Sequence, residues 1–292
     1  MTTLSSNITS IIKLTRTQCR IEFAREIRPM GLVGLLLPVV LVSVLLWLGL
    51  EDWLGGPELF GWIIASYLAV AVAITGILTL SSTIIAEQED GTLLRAKTLP
   101  GGFAAHILAR LTVLTTKSLV SALIVIATVF IGTSGRVFEL HAGLLLLIPF
   151  SVLAVAVTSP LGIVAGGFSK KLTGVLYISA ATYALVAISH IFFPASFMPS
   201  WLTVVAAVFP LLWLGYIARG IMVTDDAVLQ MFGTPSPEQW MIGIAVLVIW
   251  FLVGVFFSPR ALRALSRRQS GRRLEPWGDR KVRQQVNEPV SG

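Results

Sequence analysis

Residues 61–86 read GWIIASYLAVAVAITGILTLSSTIIA, 26 positions without a charged side chain. At 1.5 Å rise per residue, about 20 such residues cross the roughly 30 Å hydrocarbon core of a bilayer. In the whole chain, aliphatic and aromatic residues make up 55% and Asp, Glu, Lys and Arg 13%, whereas soluble domains carry about 25% charged residues. The sequence therefore predicts an all-α polytopic membrane protein.

Seven apolar runs have about the length of a membrane span. They are Gly31–Leu50, Gly61–Ala86, Leu111–Ile131, Gly143–Phe168, Leu172–Phe193, Trp201–Val223 and Met241–Ser258. Lys and Arg accumulate on the cytoplasmic side of membrane proteins, and nine of them follow Ser258. Six spans place 20 of the 22 Lys and Arg inside and leave only Arg136 and Arg219 outside. Seven spans would put the basic tail outside, so we predict six, with both termini in the cytoplasm.

The run that fails to cross is predicted to be Trp201–Val223. Proline removes a helix hydrogen bond, and three prolines mark this region: Pro194, Pro199 and Pro210. We predict a re-entrant helical hairpin over 194–223, between spans five and six, with Trp201 and Arg219 among its defining residues. Such backbone at membrane depth requires cover from protein or a water-filled cavity. The alternative is an ordinary span kinked at Pro210.

The remaining regions divide the chain into three parts. Residues 1–30 are predicted to form a cytoplasmic amphipathic helix at the membrane interface, because apolar residues recur there at helical spacing among basic ones. Residues 31–258 form the six-span domain, and residues 259–292 form a basic cytoplasmic tail that is largely disordered. We expect the disorder to begin near Gln269.

Residues with chemical potential are few. Three histidines lie too far apart in the predicted topology to share a metal, Cys19 is the single cysteine, and no hydrolase or P-loop motif occurs. We therefore predict no catalytic residue, no metal site and no cofactor on this chain. The basic residues cluster at span ends, which indicates membrane orientation rather than nucleic-acid binding.

Polar side chains follow two of the predicted spans. In the second span Thr75, Thr79 and Ser82 recur at helical spacing, and the fifth carries Ser179, Thr182, Tyr183, Ser189 and His190 on about one-third of its circumference. We predict a substrate path along Thr75, Thr79, Ser82, Ser179, Thr182, Tyr183 and His190. The alternative is that these groups only hold helices together, as we expect of the Gly162 and Gly166 pair.

Two stretches carry a family resemblance. Residues 86–100, AEQEDGTLLRAKTLP, resemble the first cytoplasmic loop of type-2 ABC exporter permeases, of pattern E-x-E-x-G-T-hydrophobic-x-[RK]-x-x-x-x-P. Residues 193–202, FPASFMPSWL, with the later Phe209-Pro-Leu and Ala218-Arg-Gly, are similar to the same family's segment before the final span. The permeases of daunorubicin and drug resistance look most similar. Leu94 departs from the pattern, since many relatives carry an acid there.

The resemblance implies a half-transporter that exports a hydrophobic or amphipathic substrate across the bacterial plasma membrane. Such a permease pairs with a second copy or a sister permease and with a separate cytoplasmic ATPase, which binds the ATP and magnesium. Its coupling loop would be 87–102. The residues expected to contact the ATPase are Glu87, Glu89, Asp90, Gly91, Thr92, Leu93, Leu94, Arg95 and Pro100. The alternatives are an exporter of polysaccharide or lipid-linked glycan with the same fold, and a membrane anchor or sensor without transport.

Overall fold

The computed structural model describes residues 2–49, 56–90, 102–137, 142–169, 173–192, 198–223 and 235–273. All regular secondary structure in these ranges is helical, which confirms the predicted all-α class. The elements are α1 (Thr2–Glu26), α2 (Pro29–Trp47), α3 (Pro57–Ile74), a π-helical segment (Thr75–Thr79), α4 (Leu80–Asp90), α5 (Gly102–Gly132), a 3-10 turn (Ala142–Leu146), α6 (Leu147–Phe168), α7 (Thr173–Ile188), α8 (Ser200–Val208), α9 (Pro210–Met222) and α10 (Pro237–Arg273).

Within the described residues, four helices are long and apolar enough to cross a membrane. They are Leu59–Gln88, Ala105–Gly132, Leu144–Phe168 and Pro237–Ala261, and α8 with α9 would make a fifth if the bent pair counts as one span. Two shorter apolar helices cover Leu32–Trp47 and Thr173–Ile188. The 16 residues of α7 rise about 24 Å, less than the roughly 30 Å core. Six spans require both shorter helices to cross, and that count stays a prediction.

Helix α6 lies at the centre of the bundle, where it contacts the π segment, α4 and α10. Glycines permit this close packing. A Cβ added at Gly162 would lie 2.6 Å from the carbonyl oxygen of Gly76, and one at Gly254 would lie 2.5 Å from Cβ of Pro160. Backbones can approach this closely only where the side chain is a hydrogen atom. Gly162 and Gly166 therefore pack helices, as expected.

The chain breaks sharply between α8 and α9. Phe209 is extended, with φ −98° and ψ 149°, and Pro210 begins α9, so that the two helices are bent by 89°. Proline suits the first position of a helix because its missing N–H would have no partner there. The terminal carbonyls of α8 are satisfied by indole N–H groups: Trp213 donates to Ala207 and Trp250 donates to Val208. Pro210 thus marks the break that the sequence indicated.

Helix α10 continues beyond the predicted end of the last span. It runs through Pro259 to Arg273, past Ser258 and past Gln269, where disorder was expected to begin. The continuation has a packing reason at its start. Ala261 is fully buried, and a Cβ added at Gly167 of α6 would lie 2.7 Å from that of Ala261.

Candidate functional site

A group of polar and ionisable side chains joins α1, α4 and α5. His106 of α5 lies 3.0 Å from both carboxylate oxygens of Glu87 on α4, through its Nε2, and its Nδ1 lies 3.1 Å from Oε1 of Gln18 on α1. Arg110 donates from Nη2 to Glu87 at 2.9 Å and from Nη1 to Glu22 at 2.7 Å. We name Gln18, Glu22, Glu87, His106 and Arg110 the charge cluster.

The charge cluster is shielded from solvent. Glu22, His106 and Glu87 are 5%, 6% and 8% exposed, and burying a charge costs free energy unless a partner compensates it. Arg110 sits between the two carboxylates and compensates both. His106 adds a second positive charge whenever it is protonated. Because each contact joins different helices, the charge cluster fixes α1, α4 and α5 to one another.

The arrangement follows from two polar stripes at helical spacing. The two stripes are Gln18, Glu22 and Glu26 on α1, and His106, Arg110 and Lys117 on α5. Residues four apart lie on one face of a helix, and eleven residues complete about three turns. The stripes pair in the same order along both helices, ending with Lys117 and Glu26 at 2.5 Å.

Of the predicted coupling residues, Glu87 belongs to the charge cluster, so its carboxylate is already engaged within the chain. Glu89 and Asp90 end α4, with side chains outside the described set. Gly91, Thr92, Leu93, Leu94, Arg95 and Pro100 lie outside the described residues, and their role as an ATPase contact stays a prediction. The structure does show that Glu87 and His106, on the two helices that flank this segment, are held together.

Two of the three predicted path residues of the second span, Thr75 and Ser82, donate hydrogen bonds to their own helix. Thr75 donates to the Ala71 carbonyl at 2.7 Å, and Ser82 donates to Thr79 at 3.0 Å. Thr75–Thr79 forms the π segment, where the regular hydrogen-bond ladder is interrupted. Such segments occur often at functional sites, but these hydroxyls are already satisfied by backbone.

The path residues of the fifth span do not share one surface. Thr182 is buried and donates to Ile178, whereas its neighbour Tyr183 is 57% exposed. Ser179 is half-buried, and His190 lies beyond the end of α7 with φ 53°. The structure does not bring these residues together, and substrate contact stays a prediction for them.

At the opposite end of the continuous helical stretch α3–π segment–α4 from the charge cluster lies Arg219, a buried cation of α9. Its side chain is 2% exposed, its Nη1 donates to the Ile191 carbonyl at 2.9 Å, and its Cζ lies 4.1 Å from the Trp62 ring and 4.7 Å from the Tyr216 ring. Among the described residues no carboxylate pairs with it. Arg219 thus attaches α9 to α3 and to the turn after α7 through aromatic faces and a carbonyl.

Three other residues were assigned to the hairpin, and the structure describes two of them. Pro199 directly precedes α8, Trp201 is exposed, and Pro194 lies outside the described residues. That the pair α8 and α9 re-enters from one side of the membrane stays a prediction.

A family model described as ABC-2 family transporter protein matches residues 55–258, well over half of the chain. The chain belongs to this family. It is therefore a membrane component of an ABC transporter, a permease that associates with an ABC ATPase subunit and does not itself contain the ATPase. A comparison with curated proteins finds no match.

Sequence reasoning missed most of the charge cluster of this ABC-2 permease. Glu22 and Arg110 are 88 residues apart, and Glu87 and His106 are 19 apart, so no local motif connects them. The signal was the pair of polar stripes. A helix before the first span that carries Glu22 and Glu26 on one face, and a span that begins with His106 and Arg110 on one face, are complementary in charge.

Proposed function

We propose that this ABC-2 permease exports a hydrophobic or amphipathic substrate of the drug, antibiotic or lipid-like class from a bacterial cell. It would work as a half-transporter, beside a second copy or a sister permease, with ATP and magnesium on a separate ATPase. The orientation, with both termini in the cytoplasm, is supported by the partition of 20 Lys and Arg against two. Family membership supports the permease role.

The observation that carries the proposal is the charge cluster. It ties the end of α4 to the start of α5 and to α1, on the two sides of residues 91–101. Pressure from an ATPase on that segment would therefore act on spans two and three and on α1 as one body, rather than on a free loop. Packing of this kind transmits displacement because cores resist compression.

The proposed contact between the coupling loop, residues 87–102, and the ATPase is tested with Leu93→Asp. A charge placed in a desolvated contact costs several kcal/mol, which weakens a modest interface by orders of magnitude. We expect the permease to express and to assemble normally, while the co-purifying ATPase and its substrate-stimulated hydrolysis are lost. Arg272→Ala in the tail is the control, with no change expected. Unaltered hydrolysis and co-purification in Leu93→Asp would exclude this segment as the contact.

The direction of substrate transport is tested in membrane vesicles that hold the permease and its ATPase. Inside-out vesicles should accumulate a fluorescent amphipathic cation or acid when ATP is added outside, because the ATPase then faces the added ATP and export points inward. Vesicles with Leu93→Asp provide the background. ATP-driven accumulation confined to right-side-out vesicles loaded with ATP would mean import and would reject the proposal.

A further inference from the structure

Two cavities meet at one lysine of the third span. The larger, about 160 Å³, lies between α1, α2 and α5, and the smaller, about 70 Å³, lies between α2, α3 and α5. Lys117 lines both, its Nζ bonds Glu26 at 2.5 Å, and a Cβ added at Gly34 would lie 3.5 Å from that nitrogen. The ammonium thus stands at the junction, accessible from either cavity.

The larger cavity has apolar walls. They are formed by Phe23, Ile27, Leu32, Leu35, Val113 and Val120. An apolar cavity of about 150 Å³ holds benzene, so this one has room for a ring or a short stretch of alkyl chain. Ile27 and Leu32 remain exposed, which opens the cavity at the surface that faces lipid.

The smaller cavity is more polar. Ser118, Ser121, Thr75 and Tyr67 contribute to its lining. The Ser118 hydroxyl is buried and has no hydrogen-bond partner among the described residues, and the preceding residue, Lys117, lines the same cavity. A buried hydroxyl left without a partner costs free energy, so this group is available to a ligand.

We propose that these cavities bind an amphiphile with one acidic group, a carboxylate or phosphate, drawn from the inner leaflet. The acidic group bonds Lys117 and the Ser118 hydroxyl in place of Glu26, and the apolar part fills the larger cavity. Lys13, Arg16, Arg20 and Arg28 are exposed on α1 and the turn after it, and this positive surface attracts anionic amphiphiles to the opening. The inference names a ligand class for the permease, and to that extent it rests on the proposed function and orientation.

Binding of the amphiphile at Lys117 would affect the charge cluster. Glu26 follows Glu22 by one helical turn, and both fasten α1 to α5. A ligand that takes Lys117 from Glu26 removes one of the polar contacts between α1 and α5 and leaves those of Glu22 with Arg110 and of Gln18 with His106. Occupancy of the larger cavity would thereby change how α1 is held against α5. Helix α1 also contributes Gln18 and Glu22 to the charge cluster, which joins the two helices that flank residues 91–101.

The test measures equilibrium binding of radiolabelled dodecyl phosphate to the full chain in nanodiscs of phosphatidylcholine, with dodecanol as the uncharged competitor. Bonds to a charged group are worth about tenfold or more in affinity. Lys117→Met should therefore weaken binding at least about tenfold, and Lys117→Arg should retain it. Glu26→Gln should strengthen binding, since it removes the competing carboxylate. Arg260→Met is the matched control, because Arg260 is exposed on α10 and lines neither cavity, and dodecanol should compete poorly.

Equal affinity in the native chain, Lys117→Met and Glu26→Gln, or equal competition by dodecanol, would overturn the proposal. Glu26→Gln keeps the test decisive even if Lys117→Met does not fold. Nanodiscs with phosphatidylglycerol identify the source: weaker probe binding there assigns the site to a lipid headgroup, and unchanged binding assigns it to a free amphiphile, both in support of an acidic ligand. Neither ATPase nor nucleotide is present, so lost binding refutes only this site, and absent ATP-driven transport refutes only the proposed function.

Discussion

Replacing Arg110 with methionine should destabilise the permease strongly, because one guanidinium compensates two buried carboxylates. The change removes the bond to Glu22 at 2.7 Å and the bond to Glu87 at 2.9 Å, with the acids only 5% and 8% exposed. Breaking a buried pair from one side costs about 3–5 kcal/mol. For a chain of 292 residues that lowers the unfolding midpoint by roughly 5–8 °C. Thermal unfolding of the purified protein in detergent measures it.

A compensated variant separates charge from packing. Combining Arg110→Met with Glu22→Gln and Glu87→Gln removes the two carboxylate charges that Arg110 pairs with, and replacing a whole buried ion network by neutral groups is often nearly neutral. We therefore expect the triple variant to recover most of the lost midpoint. Arg20→Met, an exposed arginine on α1, should stay within about 0.5 kcal/mol of the native protein.

The reasoning would be refuted if Arg110→Met unfolded at the native midpoint, since the carboxylates would then need no compensation. It would also be refuted if the triple variant were no more stable than Arg110→Met. In that case the loss would come from the packing of the arginine stem rather than from its charge.

Three further outcomes are expected. Gly162→Ala places a Cβ 2.6 Å from a carbonyl oxygen and should lower the free energy of unfolding by about 1–3 kcal/mol. Gly220→Ala, where an added Cβ meets nothing within 4 Å, should leave it unchanged. Equal thermal midpoints for the two variants would contradict the packing argument. Arg219→Lys keeps the charge but loses the planar group that lies against two rings, and should lower the free energy of unfolding by about 1–2 kcal/mol. Arg260→Lys is the near-neutral comparison, because the native Arg260 stacks on an exposed helix face. A tag after Gly292 should react with impermeant reagents only in opened cells, and labelling of intact cells would restore seven spans.

The helices were predictable because apolar length and proline position act locally. The run Gly61–Ala86 lies within the continuous helical stretch from Pro57 to Asp90, and Gly143–Phe168 matches the stretch from Ala142 to Phe168. Pro210 marks the break because its ring disfavours a helical conformation for Phe209, which is extended. A proline alone does not decide the break, since Pro259 stays inside α10. The extension of α10 to Arg273 was not predictable from hydropathy, which ends with the apolar residues, whereas backbone hydrogen bonding continues beyond them.

Predicting the charge cluster would have required knowing which helices pack together. The count of Lys and Arg assigned residues 1–30 and Arg110 to the cytoplasmic side, but a count of charges does not show that Glu22 pairs with Arg110. Burial along α7 could not be predicted from spacing either. Thr182 is buried and its neighbour Tyr183 is 57% exposed, because neighbouring residues on a helix point about 100° apart. Contact of these residues with substrate stays a prediction.

The two charged features of the bundle are joined by one helix. Trp62, which stacks on Arg219, and Glu87, which belongs to the charge cluster, are 25 positions apart in the stretch formed by α3, the π segment and α4. That separation corresponds to roughly 37 Å of helix, enough to cross the hydrocarbon core. Between them, the backbone contact of Gly76 with Gly162 leaves no room for a side chain. This one stretch therefore joins the α8–α9 pair, through Trp62 and Arg219, to the helices on either side of residues 91–101, through Glu87.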